Sequence, residues 1–159
     1  MAWKRVQEAA QLLHALLAEL DLQGLLKTSG GKGLHITVPF APRHDWDTAS
    51  ALAKAITTHL AMTMPDRFAS KSGPRNRVGK IFADYPRNKR GATTAAPWSA
   101  RARPGIGISV PNTWDELADV EGGDHWTLRT VEERLQLGDV AAAAPKIAQQ
   151  SLRTFELDR

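Results

Sequence analysis

The stretch Lys27-Thr28-Ser29-Gly30-Gly31-Lys32-Gly33-Leu34-His35, continued by Ile36-Thr37-Val38-Pro39-Phe40, joins a glycine-rich turn to an apolar run. The apolar run predicts a strand over Leu34–Pro39, which the proline closes. Three glycines let free backbone N–H groups approach an anion closely, and Lys32 adds a positive charge. Ser29 and His35 add side-chain hydrogen-bonding groups. A turn of this composition beside a strand suits the phosphates of a nucleoside triphosphate.

A plain glycine turn with an exposed lysine is an equal alternative, because such turns are common. The turn is not the phosphate loop of P-loop enzymes, in which Gly-Lys-Ser/Thr opens a helix. Here Gly31-Lys32-Gly33 leads into a strand instead.

The remaining sequence mixes helical and strand periodicities. Apolar residues at helical spacing predict four helices, over Val6–Leu20, Ala49–Met62 (N-capped by Asp47 or Thr48), Val131–Leu137 and Val140–Leu152. Alternation predicts a central strand over Val78–Asp84, with shorter strands over Thr93–Ser99 and Ile106–Val110. Thr113 and Glu116 form a capping-box pattern ahead of a short helix over 114–118. The mixture indicates an α+β or α/β fold, and 159 residues fit a single domain.

Composition restricts the classes of protein that are possible. The chain is 42% hydrophobic and 24% charged, which is typical of a globular protein. No apolar run is long enough to cross a bilayer, so we expect no membrane partner. The absence of cysteine excludes disulfides and thiolate metal sites, and fits a cytoplasmic location.

Positive charge is concentrated in the middle of the chain. Only Asp66 and Asp84 oppose the basic residues of this block, which are Arg67, Lys71, Arg75, Arg77, Lys80, Arg87, Lys89, Arg90, Arg101 and Arg103. Such a block favours a phosphate-rich partner, a nucleic acid or a nucleotide, over a merely solvated basic loop. We expect Lys80, Arg87, Lys89, Arg90 and Arg103 to contact the phosphates of such a partner.

Three further side chains could carry chemistry. Asp84, at the end of a predicted strand, could bind a divalent metal or pair with Arg77 or Arg87, and the ion pair is favoured for a lone carboxylate. Arg101 and Arg103 alternate along an extended segment, which would place both guanidiniums on one face to clamp phosphate, or simply in solvent.

These segments resemble the polymerase domain of bacterial ATP-dependent DNA ligase D, a primase-polymerase of the archaeo-eukaryotic primase superfamily used in non-homologous end joining. The resemblance covers nearly the whole chain, in order. It is carried by residues 27–35, by Arg77-Val78-Gly79-Lys80-Ile81-Phe82-Ala83-Asp84-Tyr85, by the arginine segment that begins at Arg90-Gly91-Ala92-Thr93 and extends to Arg103, and by Pro111-Asn112-Thr113-Trp114-Asp115-Glu116-Leu117.

The resemblance implies an α+β fold in which helices flank a mixed or antiparallel central sheet. It implies that Ser29, Lys32 and His35 contact the phosphates of the incoming nucleotide, and that Arg77 and Arg101 contact phosphates of the nucleotide or of DNA. It also implies that Asp84 is the third of three carboxylates holding Mn²⁺ or Mg²⁺, in one pocket with the glycine turn. Arg87 stands where the family usually has glutamine.

At its front, the chain departs from the pattern of the family that it resembles. Family members carry an Asp-x-Asp pair ahead of a tryptophan that corresponds to Trp3, whereas the only aspartate before the glycine turn is Asp21. We therefore expect the C-terminal half of the domain, inactive alone as a DNA-directed nucleotidyltransferase. It would work with a separate N-terminal half or a ligase. The alternatives are a non-enzymatic DNA- or nucleotide-binding remnant, or a degenerate fragment acting only in assembly.

A halved domain would expose apolar surface or a sheet edge, and such surfaces drive association. We therefore expect a homo-oligomer, with its interface near the first helix or the glycine-turn strand.

Overall fold

The computed structural model describes residues 2–69, 71, 73, 75–138, 140 and 149–152, except for the side chain of Arg77. The chain divides into two compact units. The sheet unit comprises residues 2–39 and 95–150, and the helix unit comprises residues 40–94 together with the chain from residue 151 onward. The fold class is α+β, with helices and a small antiparallel sheet. Among the described residues, no helix is both long and apolar enough to cross a membrane.

The sheet unit begins with α1, Trp3–Glu19, three residues ahead of the predicted start. Its buried side chains Ala9, Ala10 and Leu17 follow the predicted apolar positions. The chain reverses at Asp21, whose φ of 55° is left-handed. Gly24, which follows this reversal, allows close packing, because a Cβ there would lie 2.9 Å from Ile36 Cγ2.

Three strands form the sheet in the order β2-β1-β3, with every pair antiparallel. The strands are β1 at Leu25–Thr28, β2 at Leu34–Thr37 and β3 at Pro111–Asn112. The predicted strand after the glycine turn is therefore confirmed, two residues shorter. The central strand β1 was missed, because Lys27 and Thr28 were assigned to the turn. The core on this sheet contains Ala10, Leu26 and Leu117, packed against Leu34, Ile36 and Trp114.

A hairpin follows at residues 99–109, closed by the Ala100–Ile108 bridge. At its tip, Ile106 N donates to Arg103 O at 2.9 Å, and Gly105 has a φ of 86°. Pro104 followed by a left-handed glycine is the arrangement of a type II turn. The predicted strand over Ile106–Val110 is reduced to bridges at Gly107 and Ile108. The strand over Thr93–Ser99 is not formed, and Trp98 within it has a left-handed φ of 64°.

The predicted capping box is confirmed. Thr113 N donates to Glu116 Oε2 at 2.7 Å, and Glu116 N donates to Thr113 Oγ1 at 3.2 Å. The short helix it opens is a 3-10 helix at Asp115–Ala118. The next predicted helix is α3, Val131–Gln136, whereas most of the one predicted over Val140–Leu152 lies outside the described residues.

The helix unit contains α2, Trp46–Thr63, which Asp45 caps by accepting from Thr48 N at 2.8 Å. This cap lies two residues ahead of the predicted one. The central strand predicted over Val78–Asp84 is wrong, since within the described part of the chain this segment makes only the Phe68–Ile81 bridge. Gly79 has a φ of 69° and Val78 is 78% exposed, so the first two residues of the alternating segment form a turn. Asp84 precedes the 3-10 helix Tyr85–Arg87.

Candidate functional site

The glycine turn between β1 and β2 is held by the hydroxyl of Ser29. Ser29 Oγ accepts from the N–H groups of Gly31 and Gly33, both at 3.2 Å, and Ser29 N donates to Gly33 O at 3.0 Å. Gly31 N also donates to Gly123 O at 3.1 Å. The expectation of wholly free N–H groups is therefore wrong for Gly31 and Gly33. Within the described chain, the N–H groups of Gly30 and Lys32 are the ones in this turn without a protein acceptor.

The arginine segment packs directly against this turn. Gly30 has a φ of 66°, and a Cβ there would lie 2.7 Å from Arg101 Cγ and 2.8 Å from Gly107 O. A Cβ on Gly31 would lie 3.6 Å from Arg103 Nη1. The aliphatic stem of Arg101 thus contacts the turn, and the guanidinium of Arg103 lies beside it. Two motifs that are about 70 residues apart in the sequence are therefore in contact.

The positive charge at this site is not neutralised locally. Among the described residues, neither Arg101 nor Arg103 forms a salt bridge within 4.0 Å. Arg103 and Lys32 are exposed, whereas Arg101 is half-buried. Guanidinium groups beside a glycine turn are suited to bind phosphate oxygens in pairs of hydrogen bonds.

Behind the turn lies Lys27, which the sequence did not single out. Its side chain is buried on β1, and its Nζ donates to Ala95 O at 2.7 Å and to Ser109 Oγ at 2.8 Å. The same Nζ lies 2.7 Å from Nδ1 of His35, the residue opposite it in the β1–β2 register. Burial and, to a smaller extent, the charge of Arg101 lower the pKa of Lys27 from 10.5 to about 8. Lys27 and His35 stand equally far along the sequence from the glycine turn, one before it and one after it. In a hairpin this spacing places two residues opposite each other, and it is the sequence signal that could have identified the pair.

Asp84, in the helix unit, forms an ion pair. Its Oδ2 accepts from Arg87 Nε at 2.7 Å, and both side chains are largely exposed. This is the alternative that the sequence favoured for a lone carboxylate. The described residues contain no group of three or more His, Cys, Asp or Glu side chains that could hold a metal ion. A single carboxylate already paired with a guanidinium does not fit a Mn²⁺ or Mg²⁺ centre.

The other predicted DNA-binding residues lie in the helix unit. Lys80 is half-buried, and Lys89 and Arg90 are exposed in the turn that follows the Tyr85–Arg87 helix. Arg87 is exposed as well, and its Nη1 also donates to Thr93 O at 3.4 Å. The side chain of Arg77 lies outside what the structure describes.

Comparison with known proteins identifies a family and several relatives of this chain. A family model described as LigD, primase-polymerase domain, matches residues 1–141. The multifunctional non-homologous end joining protein LigD of Pseudomonas aeruginosa is 54% identical over 135 residues, 85% of this chain and 16% of that protein. Its counterpart in Mycolicibacterium smegmatis is 38% identical over 136 residues, 85% of this chain and 18% of that protein.

A solved structure shares the fold. The polymerase domain from Mycobacterium tuberculosis ligase D in complex with DNA matches with a TM-score of 0.82 at 29% identity. The match covers 92% of this chain and 51% of that domain. The chain therefore spans about half of the solved polymerase domain and less than a fifth of the two full-length relatives.

Proposed function

The chain belongs to the LigD primase-polymerase family, and we propose that it is the nucleotide- and DNA-binding half of an end-joining primase-polymerase. The observation that carries this proposal is the contact of Arg101 and Arg103 with the glycine turn. Cations without carboxylate partners, beside a turn with two available N–H groups, form a phosphate site.

We assign roles within this site by position. Lys32, His35 and Arg101 would bind the triphosphate of the incoming nucleotide, and Arg77 would assist them by its place in the family motif. Ser29 contributes by holding the turn in shape, since its oxygen already accepts two backbone hydrogen bonds. Arg103, Lys80, Arg87, Lys89 and Arg90 would bind phosphates of DNA.

Nucleotidyl transfer requires divalent metal ions that bridge the nucleophile and the phosphates. Asp84 would serve as one metal ligand only if other carboxylates joined it and Arg87 released it. We therefore propose that these residues do not catalyse nucleotide addition alone, and that an N-terminal polymerase half, or a ligase carrying one, supplies the remaining ligands.

Binding tests the first part of this proposal. We expect inorganic tripolyphosphate, and DNA with a recessed end, to bind at low salt and to weaken as salt rises. Lys32→Ala and Arg101→Ala should each weaken binding, while Lys54→Ala, which removes an exposed lysine of α2, should not. An equal loss of affinity in all three variants would show that binding depends only on non-specific charge, and would overturn the proposed site.

Activity tests the second part. With Mn²⁺, we expect no nucleotide addition by the purified chain, and addition after an N-terminal half bearing the Asp-x-Asp pair is supplied. Addition by the chain alone that disappears in Asp84→Ala would show that it holds the metals without help.

A non-enzymatic role in binding DNA or nucleotide is the second candidate, and the Asp84–Arg87 ion pair favours it. Binding that persists when no partner half restores activity would support that role. Failure to bind tripolyphosphate or DNA at low salt would leave only the role of a degenerate assembly module.

We also propose that the chain self-associates through the edge of its sheet, since β2 ends the strand order among the described residues. A monomer in sedimentation at micromolar concentration would contradict this.

A further inference from the structure

The ammonium group of Lys27 is enclosed by neutral acceptors. Its three N–H bonds match three partners, Ala95 O at 2.7 Å, Ser109 Oγ at 2.8 Å and His35 Nδ1 at 2.7 Å. The side chain is only 7% exposed, and no carboxylate among the described residues lies within 4.0 Å of it. A buried cation without a carboxylate partner is costly, so its retention at a phosphate site calls for a functional explanation.

The contact with Lys27 favours one tautomer of His35. An ammonium group has donors but no acceptor, so the Nδ1 that faces it must offer a lone pair. A neutral imidazole that accepts at Nδ1 carries its proton on Nε2. Lys27 therefore selects one tautomer of His35 and holds the ring in one orientation on β2.

The support for Lys27 continues across the sheet unit. Ser109 Oγ accepts from Lys27 and donates to Thr28 O at 2.8 Å. Thr28 Oγ1 in turn donates to Ile108 O at 3.1 Å and accepts from Val110 N at 2.9 Å. These buried bonds tie β1 to the hairpin that carries Arg101 and Arg103. The position of Nζ is consequently set by the backbone on both sides.

We propose that Lys27 is a positioning residue, which orients His35 as an Nε2–H donor toward phosphate bound at the glycine turn and does not contact the ligand. This inference deepens the proposed function and rests on it. Outer residues that fix a histidine tautomer in this way are common around metal ligands, where their loss weakens binding by 10- to 100-fold.

The first test uses the unmodified chain without ligand. Long-range ¹H–¹⁵N spectra of the histidine rings, with His35 assigned by comparison with His35→Gln, report the tautomer directly. We expect His35 to show a protonated Nε2 and an unprotonated Nδ1 at neutral pH. A protonated Nδ1 would overturn the proposal, and this readout does not depend on whether any nucleotide binds.

The second test is a double-mutant cycle, with titration of inorganic tripolyphosphate as the readout. Lys27→Met keeps the apolar stem but removes the donor, and we expect roughly a tenfold loss of affinity, the equivalent of one charge-assisted hydrogen bond. In the presence of His35→Ala, Lys27→Met should cause little further loss. Losses that multiply would show that Lys27 acts independently of His35.

Matched variants separate positioning from folding. Lys32→Ala should weaken tripolyphosphate binding without changing the His35 tautomer, whereas Lys27→Met should change both. Ser109→Ala removes one partner of Lys27 and should act in the same direction, more weakly. An unchanged His35 spectrum in a folded Lys27→Met variant would overturn the proposal. If tripolyphosphate binds neither the parent chain nor any variant, the proposed function fails, whereas the tautomer result still stands.

Discussion

The sheet unit and the helix unit both carry arginine side chains, but they differ in whether a carboxylate pairs with them. Beside the glycine turn, Arg101 and Arg103 have no carboxylate within salt-bridge distance in the described chain. In the helix unit, the guanidinium of Arg87 is 2.7 Å from Asp84. A cation that lacks an anionic partner is ready to bind phosphate, whereas a paired one must first release its carboxylate. Charge counts along the sequence do not distinguish these two cases.

The largest effect should come from breaking the turn on which the first region depends. A Cβ on Gly123 would clash with Gly33 N and would lie 2.6 Å from the carbonyl oxygens of Gly31 and Gly33. We expect Gly123→Ala to lower the free energy of unfolding by about 3 kcal/mol or more, because backbone atoms cannot move aside cheaply. Gly33→Ala is the control, since a Cβ there meets nothing within 4 Å. Urea unfolding measures both, and equal stabilities would refute the tight contact.

The next effect tests the buried charge of Lys27 through pH. Its pKa is lowered to about 8 in the folded chain, so the unfolded chain binds this proton more tightly between pH 8 and 10.5. Stability should therefore rise with pH across that window, and the cost of burying the charge is fully present below pH 8. Between pH 7.5 and 10, the chain should gain about 2 kcal/mol relative to Lys27→Met. Urea unfolding of both proteins at the two pH values measures this gain, and parallel pH profiles would contradict it.

Substituting one arginine in each region tests whether the two regions differ in phosphate binding. Arg101→Ala should weaken tripolyphosphate binding roughly tenfold, because a charge-assisted contact of about 1.5 kcal/mol is lost. Arg87→Ala should change it by less than about threefold, since that guanidinium is engaged by Asp84 and an exposed pair contributes little. Isothermal titration at low salt gives both values. A greater loss for Arg87→Ala would reverse the ranking of the two regions.

The smallest effect is expected at Asp84. Asp84→Asn releases Arg87 and removes one negative charge, so affinity for DNA should rise by a factor of about two at low salt. Fluorescence anisotropy of an end-labelled duplex measures this, with Asp66→Asn as a control for the charge alone. Weaker DNA binding in Asp84→Asn would instead indicate that the carboxylate itself organises the interface.

The sequence predicted the parts of the fold in which local pattern and tertiary environment agree. The apolar stripes of α1 and α2 and the Thr113–Glu116 capping box are such cases. The segment at 78–84 has a strand-like alternation, but Gly79 takes a left-handed φ of 69° and turns the chain. Local pattern cannot reveal that choice, because glycine tolerates both conformations.

The sequence predicted the segments that form the candidate site, but not the hydrogen bonds and contacts that connect them. The turn and the arginine segment were each identified, and the structure brings them together. Lys27 was overlooked because a lysine is rarely buried, and its environment depends on Ala95 and Ser109, which are remote in the sequence. The hydroxyl of Ser29 also holds the turn by accepting two backbone hydrogen bonds, which only three-dimensional hydrogen-bond partners disclose, and its contact with phosphate stays a prediction.

The interleaved arrangement of the sheet unit has a consequence for synthesis on the ribosome. Strand β1 is made early, but its partner β3 and two of the three groups that enclose Lys27, Ala95 O and Ser109 Oγ, follow only after residues 40–94 have been translated. Until then, the nascent chain presents an uncovered strand edge, a state in which chaperone capture and aggregation compete with folding. Pausing of translation before Ala95 should therefore lower the yield of native protein more than pausing after Asn112.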